Sequence, residues 1–182
     1  MKTVVITGAS TGIGEATALY LAKHGWCVYA GVRKQADANA LSASSEGDIR
    51  PLILDVTKQE QVDAAVREVS QALKGETLSG LINNAGIANM GPLAIQPLEE
   101  FQAHFEVNVF GLLRASQAFA PLLGMDETRT GNPGRIVNIT SVGGRISSPF
   151  LGGYTATKHA VEAMTDSLRR ELVIFGIDAI AI

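Results

Sequence analysis

The sequence predicts an α/β fold built on a doubly wound parallel sheet. Short runs of β-branched and apolar residues alternate with longer segments of helical periodicity, which is typical of parallel strands joined by crossover helices. The first run, Lys2–Thr7, carries Val4, Val5 and Ile6 in succession, as expected of a strand buried on both faces. A glycine-rich turn follows that run directly.

Six strands and four helices account for most of the chain. The strands are predicted at Lys2–Thr7, Trp26–Gly31, Ile49–Leu54, Ser79–Asn83, Arg135–Thr140 and Ile177–Ile182. Apolar or small residues recur at helical spacing over Ile13–His24, Val62–Leu73, Pro97–Gly124 and Gly153–Phe175. Met125–Gly134 is predicted to be a solvated loop. Because no repeat or linker interrupts this pattern, we interpret residues 1–182 as a single domain.

Composition excludes several classes of function. A hydrophobic share of 46% and a charged share of 18% are those of a soluble globular protein. The net charge of −3 gives no basic stripe for nucleic acid, and no apolar run is long enough to cross a membrane. The one cysteine, Cys27, lies in an apolar strand and is expected to be a buried small hydrophobe. We therefore expect a cytoplasmic protein that binds neither nucleic acid nor membrane.

The glycine-rich turn has the properties of a phosphate-binding loop. It lies between the first strand and the first helix, the context in which a glycine pattern indicates a dinucleotide site. Glycine allows a tight turn and a close approach of the backbone to a pyrophosphate, and the free N–H groups of the helix then meet the anion. The alternative is a loop that holds three glycines by chance. The candidate binding residues of the turn are Gly8, Ser10, Thr11, Gly12, Ile13 and Gly14.

A tyrosine and a lysine in the last helix form a candidate proton-transfer site. Tyr154 and Lys158 are four residues apart and share one helix face. A phenol, with a pKa of about 10, is a poor base at neutral pH, but a nearby ammonium group stabilises the phenolate. A solvated helix pair is the alternative. The functional interpretation gains weight from Ser141, which ends the fifth strand, where open α/β sheets bind their ligands.

Together, these motifs resemble those of the short-chain dehydrogenase/reductase family. The spacing T-G-x-x-x-G-x-G, the segment Asn83–Gly86 (N-N-A-G), Asn108 and Tyr-x-x-x-Lys occur in the family's order. The resemblance implies a Rossmann-type sheet with strand order 3-2-1-4-5-6, its seventh strand missing from this chain. It implies that Asn108, Ser141, Tyr154 and Lys158 are catalytic, with no metal ligand among the site residues. It also implies cofactor contacts from Asn84, Ala85, Gly86, Tyr154 and Lys158.

In the family, each catalytic residue has a role that the resemblance carries over. Tyr154 would exchange the proton, and Ser141 would orient the substrate oxygen. Lys158 would hold the ribose hydroxyls and favour the phenolate. The backbone carbonyl of Asn108 would hold a water molecule in a proton relay.

The resemblance also implies the choice of cofactor. NAD enzymes of the family carry an acidic residue at the position of Val32, which Arg33 follows here. Because a guanidinium group can bind a 2′-phosphate bidentately, NADP(H) is expected in preference to NAD(H), unless Arg33 belongs to a solvated basic loop. The family's other basic position is occupied by Thr11. Asp55 and Val56 match the adenine-contacting position, and a helix N-cap is the alternative for Asp55.

The expected reaction is hydride transfer between NADP(H) and a carbonyl or secondary alcohol. The segments Ile87–Pro92 and Val142–Ile146, which would contact a substrate, are mostly apolar or small and favour a lipophilic one. Tyr29–Arg33 and Val107–Gly111 resemble the branch that holds hydroxysteroid and retinol dehydrogenases. The alternative is an NADP-binding regulatory protein or an inactive truncated member of the family.

Two further expectations concern the whole protein. In the family the two long helices, here Phe101–Leu123 and Gly153–Phe175, pair across a two-fold axis, so a homodimer or homotetramer is expected. The sequence also stops within the predicted strand Ile177–Ile182, whereas family members continue into a substrate-covering loop, a helix and a seventh strand. We therefore expect the full protein to contain several dozen further residues.

Overall fold

The centre of the structure is a six-stranded parallel sheet. The computed structural model describes all 182 residues. The sheet order is β3-β2-β1-β4-β5-β6, which confirms the predicted order, and every neighbouring pair is parallel. The strands are β1 (Thr3–Ile6), β2 (Cys27–Val32), β3 (Ile49–Ile53), β4 (Gly80–Asn83), β5 (Arg135–Asn138) and β6 (Asp178–Ala181).

Six α-helices flank this sheet. They are α1 (Gly12–Lys23), α2 (Gln35–Ser44), α3 (Gln59–Leu73), α4 (Leu98–Phe105), α5 (Leu112–Ala120) and α6 (Gly152–Leu172). Helix α2 was not predicted from the sequence. This helix buries only Ala38 and Leu41, so it lacks the continuous apolar stripe that marks the other crossover helices.

The predicted long helix Pro97–Gly124 is interrupted, which corrects the sequence analysis. A π-helical turn at Glu106–Gly111 separates α4 from α5. A second irregular turn follows at Pro121–Met125 and contains Gly124 with a φ of 126°. Gly111, the last residue of the π-helical turn, packs closely against Val56. A Cβ on Gly111 would be 2.5 Å from Val56 Cγ2. Such π-helical insertions are frequent at functional sites.

Apolar side chains fill both faces of the sheet. Along β1, Val5 packs in one core, which also contains Phe119 and Leu81, and Val4 and Ile6 pack in the other with residues of α1 and α2. Successive strand residues point to opposite faces, so this division shows that β1 is buried on both sides, as its continuous apolar run predicts.

Cys27 occupies the position that the sequence predicts. Its side chain is buried at the start of β2. Burial, with a smaller effect from the hydrogen bond to Asp48, raises the pKa of the Cys27 thiol to about 11. The thiol is therefore protonated at neutral pH and behaves as a small hydrophobe.

None of the helices is both long and apolar enough to cross a membrane.

Candidate active site

The predicted cofactor residues meet at the carboxyl edge of the sheet. Because all six strands are parallel, the segments that follow them emerge at the same edge. A groove of about 330 Å³ lies there. Ten of the fourteen predicted cofactor residues line it: Gly8, Ser10, Thr11, Ile13, Arg33, Asp55, Val56, Asn84, Ala85 and Gly86. The other four, Gly12, Gly14, Tyr154 and Lys158, do not line it. A larger concavity of about 880 Å³ lies elsewhere, at Lys2, Trp26 and Thr130–Pro133, and contains none of the predicted residues.

The glycine turn is shaped by two residues with positive φ and one close packing contact. Gly8 and Gly12 have φ values of +67° and +60°, which L side chains rarely adopt. A Cβ on Gly14 would collide with the carbonyl oxygen of Gly8 and the side-chain nitrogen of Asn84. Gly14 is itself buried in α1, so its role is to let the helix approach the turn.

The amino terminus of α1 is open to an anion. Thr11 precedes the helix in an extended conformation (φ −156°, ψ 166°), and its side chain accepts no hydrogen bond from the first turn. The first N–H groups of α1 therefore lack a side-chain acceptor, and the helix dipole adds partial positive charge there. This donor set fits a pyrophosphate group.

A reciprocal hydrogen-bonded clamp joins the glycine turn to the segment after β4. The hydroxyl of Thr7 accepts from the backbone N–H groups of Asn84 and Ala85, both at 3.1 Å. The Asn84 side chain donates to the carbonyl oxygens of Thr7 (3.1 Å) and Gly8 (2.8 Å). Thr7 was not among the predicted site residues, although a polar residue that ends an apolar strand is a signal that could have identified it.

Buried amides tie the middle of the sheet to the helices that cover it. Asn83 donates to the side-chain oxygens of Ser116 and Asn138, both at 2.9 Å. Asn138 in turn donates to the hydroxyl of Thr165 at 2.8 Å. These four residues are buried, so the bonds fix α5 and α6 against β4 and β5, the strands that lead into the site.

Asp55 turns the chain after β3. Its carboxylate accepts from the Thr57 N–H (2.9 Å) and hydroxyl (2.8 Å). Burial acts to raise the pKa of Asp55, but these hydrogen bonds and the charges of Arg33 and Lys58 outweigh it and hold the pKa below its usual value. The carboxylate is therefore ionised. The residue before α3 is Lys58, so Asp55 caps the preceding turn and not the helix.

The structure brings Ser141 and Tyr154 close to the same glycine. Ser141 follows β5 and begins a 3₁₀ turn, where its hydroxyl accepts from the Gly143 N–H at 3.0 Å. Tyr154 lies in the first turn of α6. A Cβ built on Gly143 would be 3.4 Å from both Ser141 Oγ and Tyr154 Cε1, so the two side chains border the same small space.

Lys158 is buried one turn after Tyr154. Its side-chain nitrogen lies 5.6 Å from the centroid of the Tyr154 ring and donates to the carbonyl oxygen of Ile139 at 2.7 Å. Burial lowers the pKa of Lys158 from its usual value. The predicted tyrosine–lysine pair thus shares one helix face, with the ammonium group largely removed from solvent.

Asn108 links three segments around the site from within the π-helical turn. Its side chain accepts from the N–H of Ile87 (2.8 Å) and donates to the carbonyl of Ile87 (2.9 Å) and the hydroxyl of Thr157 (3.0 Å). The hydroxyl of Thr157 donates to the carbonyl of Tyr154 at 2.6 Å. Thr157 was not predicted as a site residue, because its link to the site is the hydrogen bond from Asn108, which joins two helices.

The assembled arrangement offers an anion site, an ionised carboxylate and a phenol–ammonium pair along one edge of the sheet. No group of three or more His, Cys, Asp or Glu side chains is placed to hold a metal ion. Such an arrangement is able to bind a dinucleotide and to move a proton at its far end.

Known proteins that are similar to this chain identify its family. Residues 2–182 match the family model described as short chain dehydrogenase. An NADPH-dependent 3-dehydrocapnine reductase from Ornithobacterium rhinotracheale is 38% identical over 100% of this chain and 64% of its own length. Retinol dehydrogenase 16 from Homo sapiens is 37% identical over 97% of this chain and 54% of its own length. The solved structure of an NAD⁺-bound xylitol dehydrogenase is 28% identical, with a TM-score of 0.90, over 99% of this chain and 68% of that one.

The chain thus spans just over half of the human relative and less than two thirds of the bacterial one. The family match covers nearly every residue, and the sheet order and motif sequence agree with it. The chain therefore belongs to the short-chain dehydrogenase/reductase family, with retinol dehydrogenases among its relatives.

Proposed function

We propose that this protein transfers a hydride between NADP(H) and a lipophilic carbonyl or secondary alcohol. The observation that carries the proposal is that Ser141, Tyr154 and Lys158 lie together just beyond the carboxyl end of β5, at the same edge of the sheet as the groove. When bound, the cofactor supplies or accepts the hydride. The protein supplies placement and proton transfer.

The groove residues account for cofactor binding in this proposal. The first turn of α1 would hold the pyrophosphate, and Asp55 would meet the adenine. The choice of NADP(H) rests on Arg33, which is exposed at the rim of the groove next to the uncharged Val32. The NADPH-dependent bacterial relative supports this choice, whereas the NAD⁺-bound structural relative makes a direct test of Arg33 necessary.

Each reactive side chain has a separate task. Tyr154 would exchange a proton with the substrate oxygen, and the hydroxyl of Ser141 would hydrogen-bond the same oxygen. The buried ammonium group of Lys158 would stabilise the phenolate form of Tyr154, because opposite charges attract strongly where water is excluded. Asn108 and Thr157 would keep α6 and the segment after β4 at a fixed separation.

The surroundings of the reactive end favour an apolar substrate. Met90, Val142, Ile146 and Phe150 are all exposed on the two segments that follow β4 and β5. Exposed apolar side chains grouped at a site mark a surface that apolar groups contact. A relative named as a retinol dehydrogenase is consistent with this substrate class.

A panel of carbonyl substrates tests the proposal. NADPH oxidation would be followed with unbranched ketones of increasing chain length and with charged keto acids of matched length. We expect kcat/KM to rise with chain length and to be lowest for the keto acids. No oxidation of NADPH with any carbonyl would contradict the reaction, and a preference for the keto acids would contradict the substrate class.

Substitution of Tyr154 tests the chemistry within the same assay. Tyr154→Phe is expected to lower kcat by roughly a hundredfold or more, the usual contribution of a positioned acid or base, with little change in the Kd for NADPH. Tyr20→Phe is the matched control because Tyr20 lies exposed on α1, away from the groove. A Tyr154→Phe variant that keeps a tenth of the turnover would be inconsistent with this role.

A further inference from the structure

His104 is a fully buried titratable side chain that the proposed chemistry does not use. It lies in α4 with no exposed surface. One ring nitrogen, Nδ1, lies 2.9 Å from the carbonyl oxygen of Glu100, and the other, Nε2, lies 2.9 Å from the backbone nitrogen of Asn89. Because a carbonyl only accepts and an amide N–H only donates, the ring is neutral with its proton on Nδ1.

The bond to Asn89 belongs to a regular series of backbone anchors. Ile87 is held through both its N–H and its carbonyl by Asn108, and the N–H of Gly91 donates to the carbonyl of Phe150 at 2.8 Å. The anchored residues, Ile87, Asn89 and Gly91, alternate along the segment with Ala88 and Met90, which have no such backbone anchor. Asn89 is held through its N–H although the residue as a whole is exposed. In an extended segment alternate N–H groups point to the same side, so one side of the segment is fixed and the other faces outward.

His104 also contacts the start of the helix that carries Tyr154. A Cβ built on Gly153 would lie 3.3 Å from His104 Nδ1 and 3.4 Å from Phe101 Cδ2. A side chain at Gly153 would therefore be packed tightly against α4, so the glycine eases the close approach of α6 to α4 one residue before Tyr154. The imidazole occupies the junction of α4, α6 and the segment after β4.

We propose that His104 is a positioning residue that holds the segment Ile87–Gly91, through Asn89, as one wall of the substrate site. The inference rests on the proposed function only in taking this segment as a substrate wall. Ile87 lines the groove, so a shift at Asn89, two residues further, changes the outer part of the site and leaves the pyrophosphate turn in place. The imidazole would set the affinity for the substrate, and neither proton transfer nor nucleotide binding would depend on it.

Two substitutions separate the two hydrogen bonds of the ring. In His104→Gln the longer amide side chain places an oxygen near the position of Nε2, where it can accept from the Asn89 N–H. In His104→Asn the shorter amide reaches the position of Nδ1 and can donate to Glu100, but it leaves Asn89 without an acceptor. Both variants are neutral and polar, so they differ mainly in which bond survives.

Amide hydrogen exchange at Asn89 measures the hydrogen bond between Asn89 and His104 without any turnover. We expect exchange at this amide to accelerate by about tenfold or more in His104→Asn, the effect of losing one net hydrogen bond, and to stay near the wild-type rate in His104→Gln. The Kd for NADPH, measured on all three proteins, reports that the fold is intact. Equal exchange rates at Asn89 in both variants would overturn the proposal that His104 holds Asn89.

Steady-state kinetics then tests the role in substrate binding. His104→Asn is expected to raise KM for a ketone by about tenfold while changing kcat much less, and His104→Gln is expected to restore the wild-type KM. A fall in kcat with KM unchanged, or an equal loss in both variants, would overturn the positioning role. If the wild-type chain turned over no carbonyl, the proposed function would fail while the exchange measurement would still decide whether His104 holds the segment.

Discussion

Lys158 shows how a single side chain at this site balances stability against chemistry. Burial lowers its pKa, which means that the folded protein binds this proton less tightly than the unfolded chain does. Burying the charged ammonium group therefore costs free energy of folding, and the hydrogen bond to Ile139 offsets only part of that cost. The charged form of Lys158 thus does not stabilise the fold, and its proposed role is to favour the phenolate of Tyr154.

Lys158→Met tests the cost of burying this charge through its free energy of unfolding and its turnover. Methionine keeps much of the side-chain volume and removes the buried charge, so the free energy of unfolding at neutral pH is expected to stay equal or to increase, while turnover is lost. As the pH rises through the lowered pKa of Lys158 towards the usual value of 10.5, the folded wild type sheds its proton first and the difference between the two proteins shrinks. Denaturant unfolding at several pH values measures this difference. A clearly less stable methionine variant at neutral pH would contradict the argument.

Arg33 is the residue on which the proposed choice of NADP(H) rests. Arg33→Ala is expected to weaken NADPH binding by about tenfold or more, the effect of losing a charged hydrogen-bonding group, and to leave NADH binding nearly unchanged. Titration of both cofactors into both proteins measures this. Arg67→Ala on α3 is the control, because Arg67 is exposed and does not line the groove. Equal losses for NADPH and NADH would show that Arg33 does not contact the 2′-phosphate.

At the scale of the element, the connection from β1 to α1 depends on one helical glycine. Because a Cβ at Gly14 would meet backbone of the glycine turn and the Asn84 side chain, Gly14→Ala is expected to lower the free energy of unfolding by about 1–3 kcal/mol, as overpacking does, and to weaken NADPH binding. Gly91→Ala is a suitable control, since no atom lies within 4 Å of a Cβ placed there. Thermal unfolding and NADPH titration measure both effects. A Gly14→Ala variant as stable as Gly91→Ala would be evidence against this packing constraint.

Elements with strong local patterns could be predicted, and those set by distant contacts could not. The six strands follow from short apolar runs, and their observed ends differ from the predicted ends by at most two residues. Helix α2 was missed because it buries so little. The π-helical turn at Glu106–Gly111 was not predicted. Gly111 packs there against Val56, a contact between distant parts of the chain that the sequence does not reveal.

The same distinction holds for the site. Its glycines, Ser141, Tyr154 and Lys158 were predicted because motif spacing carries their chemistry. Thr7, Thr157 and His104 were not predicted, because each acts through a hydrogen bond to a segment far away in sequence. For Thr157 and His104 the signal is the partner, which is known only once the fold has brought the segments together. Thr7 also carries a local signal, because it is a polar residue that ends an apolar strand.

At the scale of the whole molecule, the site depends on residues from both halves of the chain. The glycine turn follows β1, the clamp of Asn84 follows β4, Ser141 follows β5, and Tyr154 lies in α6. No single element contains a functional unit, so the order of the strands in the sheet is what creates the groove. The helices that cover the strands leave their own outer faces available for assembly.

One of these outer faces predicts that the protein self-associates. Leu98 and Phe110 are 63% and 50% exposed, and they border an apolar depression on α4 together with Phe101 and Phe105. A contiguous apolar surface of this kind is typical of a subunit interface, and a self-complementary patch closes into a two-fold dimer. Light scattering at micromolar concentration is therefore expected to give two or four times the mass of one chain. Phe110→Asp should lower the mass to that of one chain or of a smaller assembly, whereas Tyr20→Asp, on the exposed surface of α1, should not. A monomeric wild type would exclude the dimer, and an unchanged mass in Phe110→Asp would place the interface on another face.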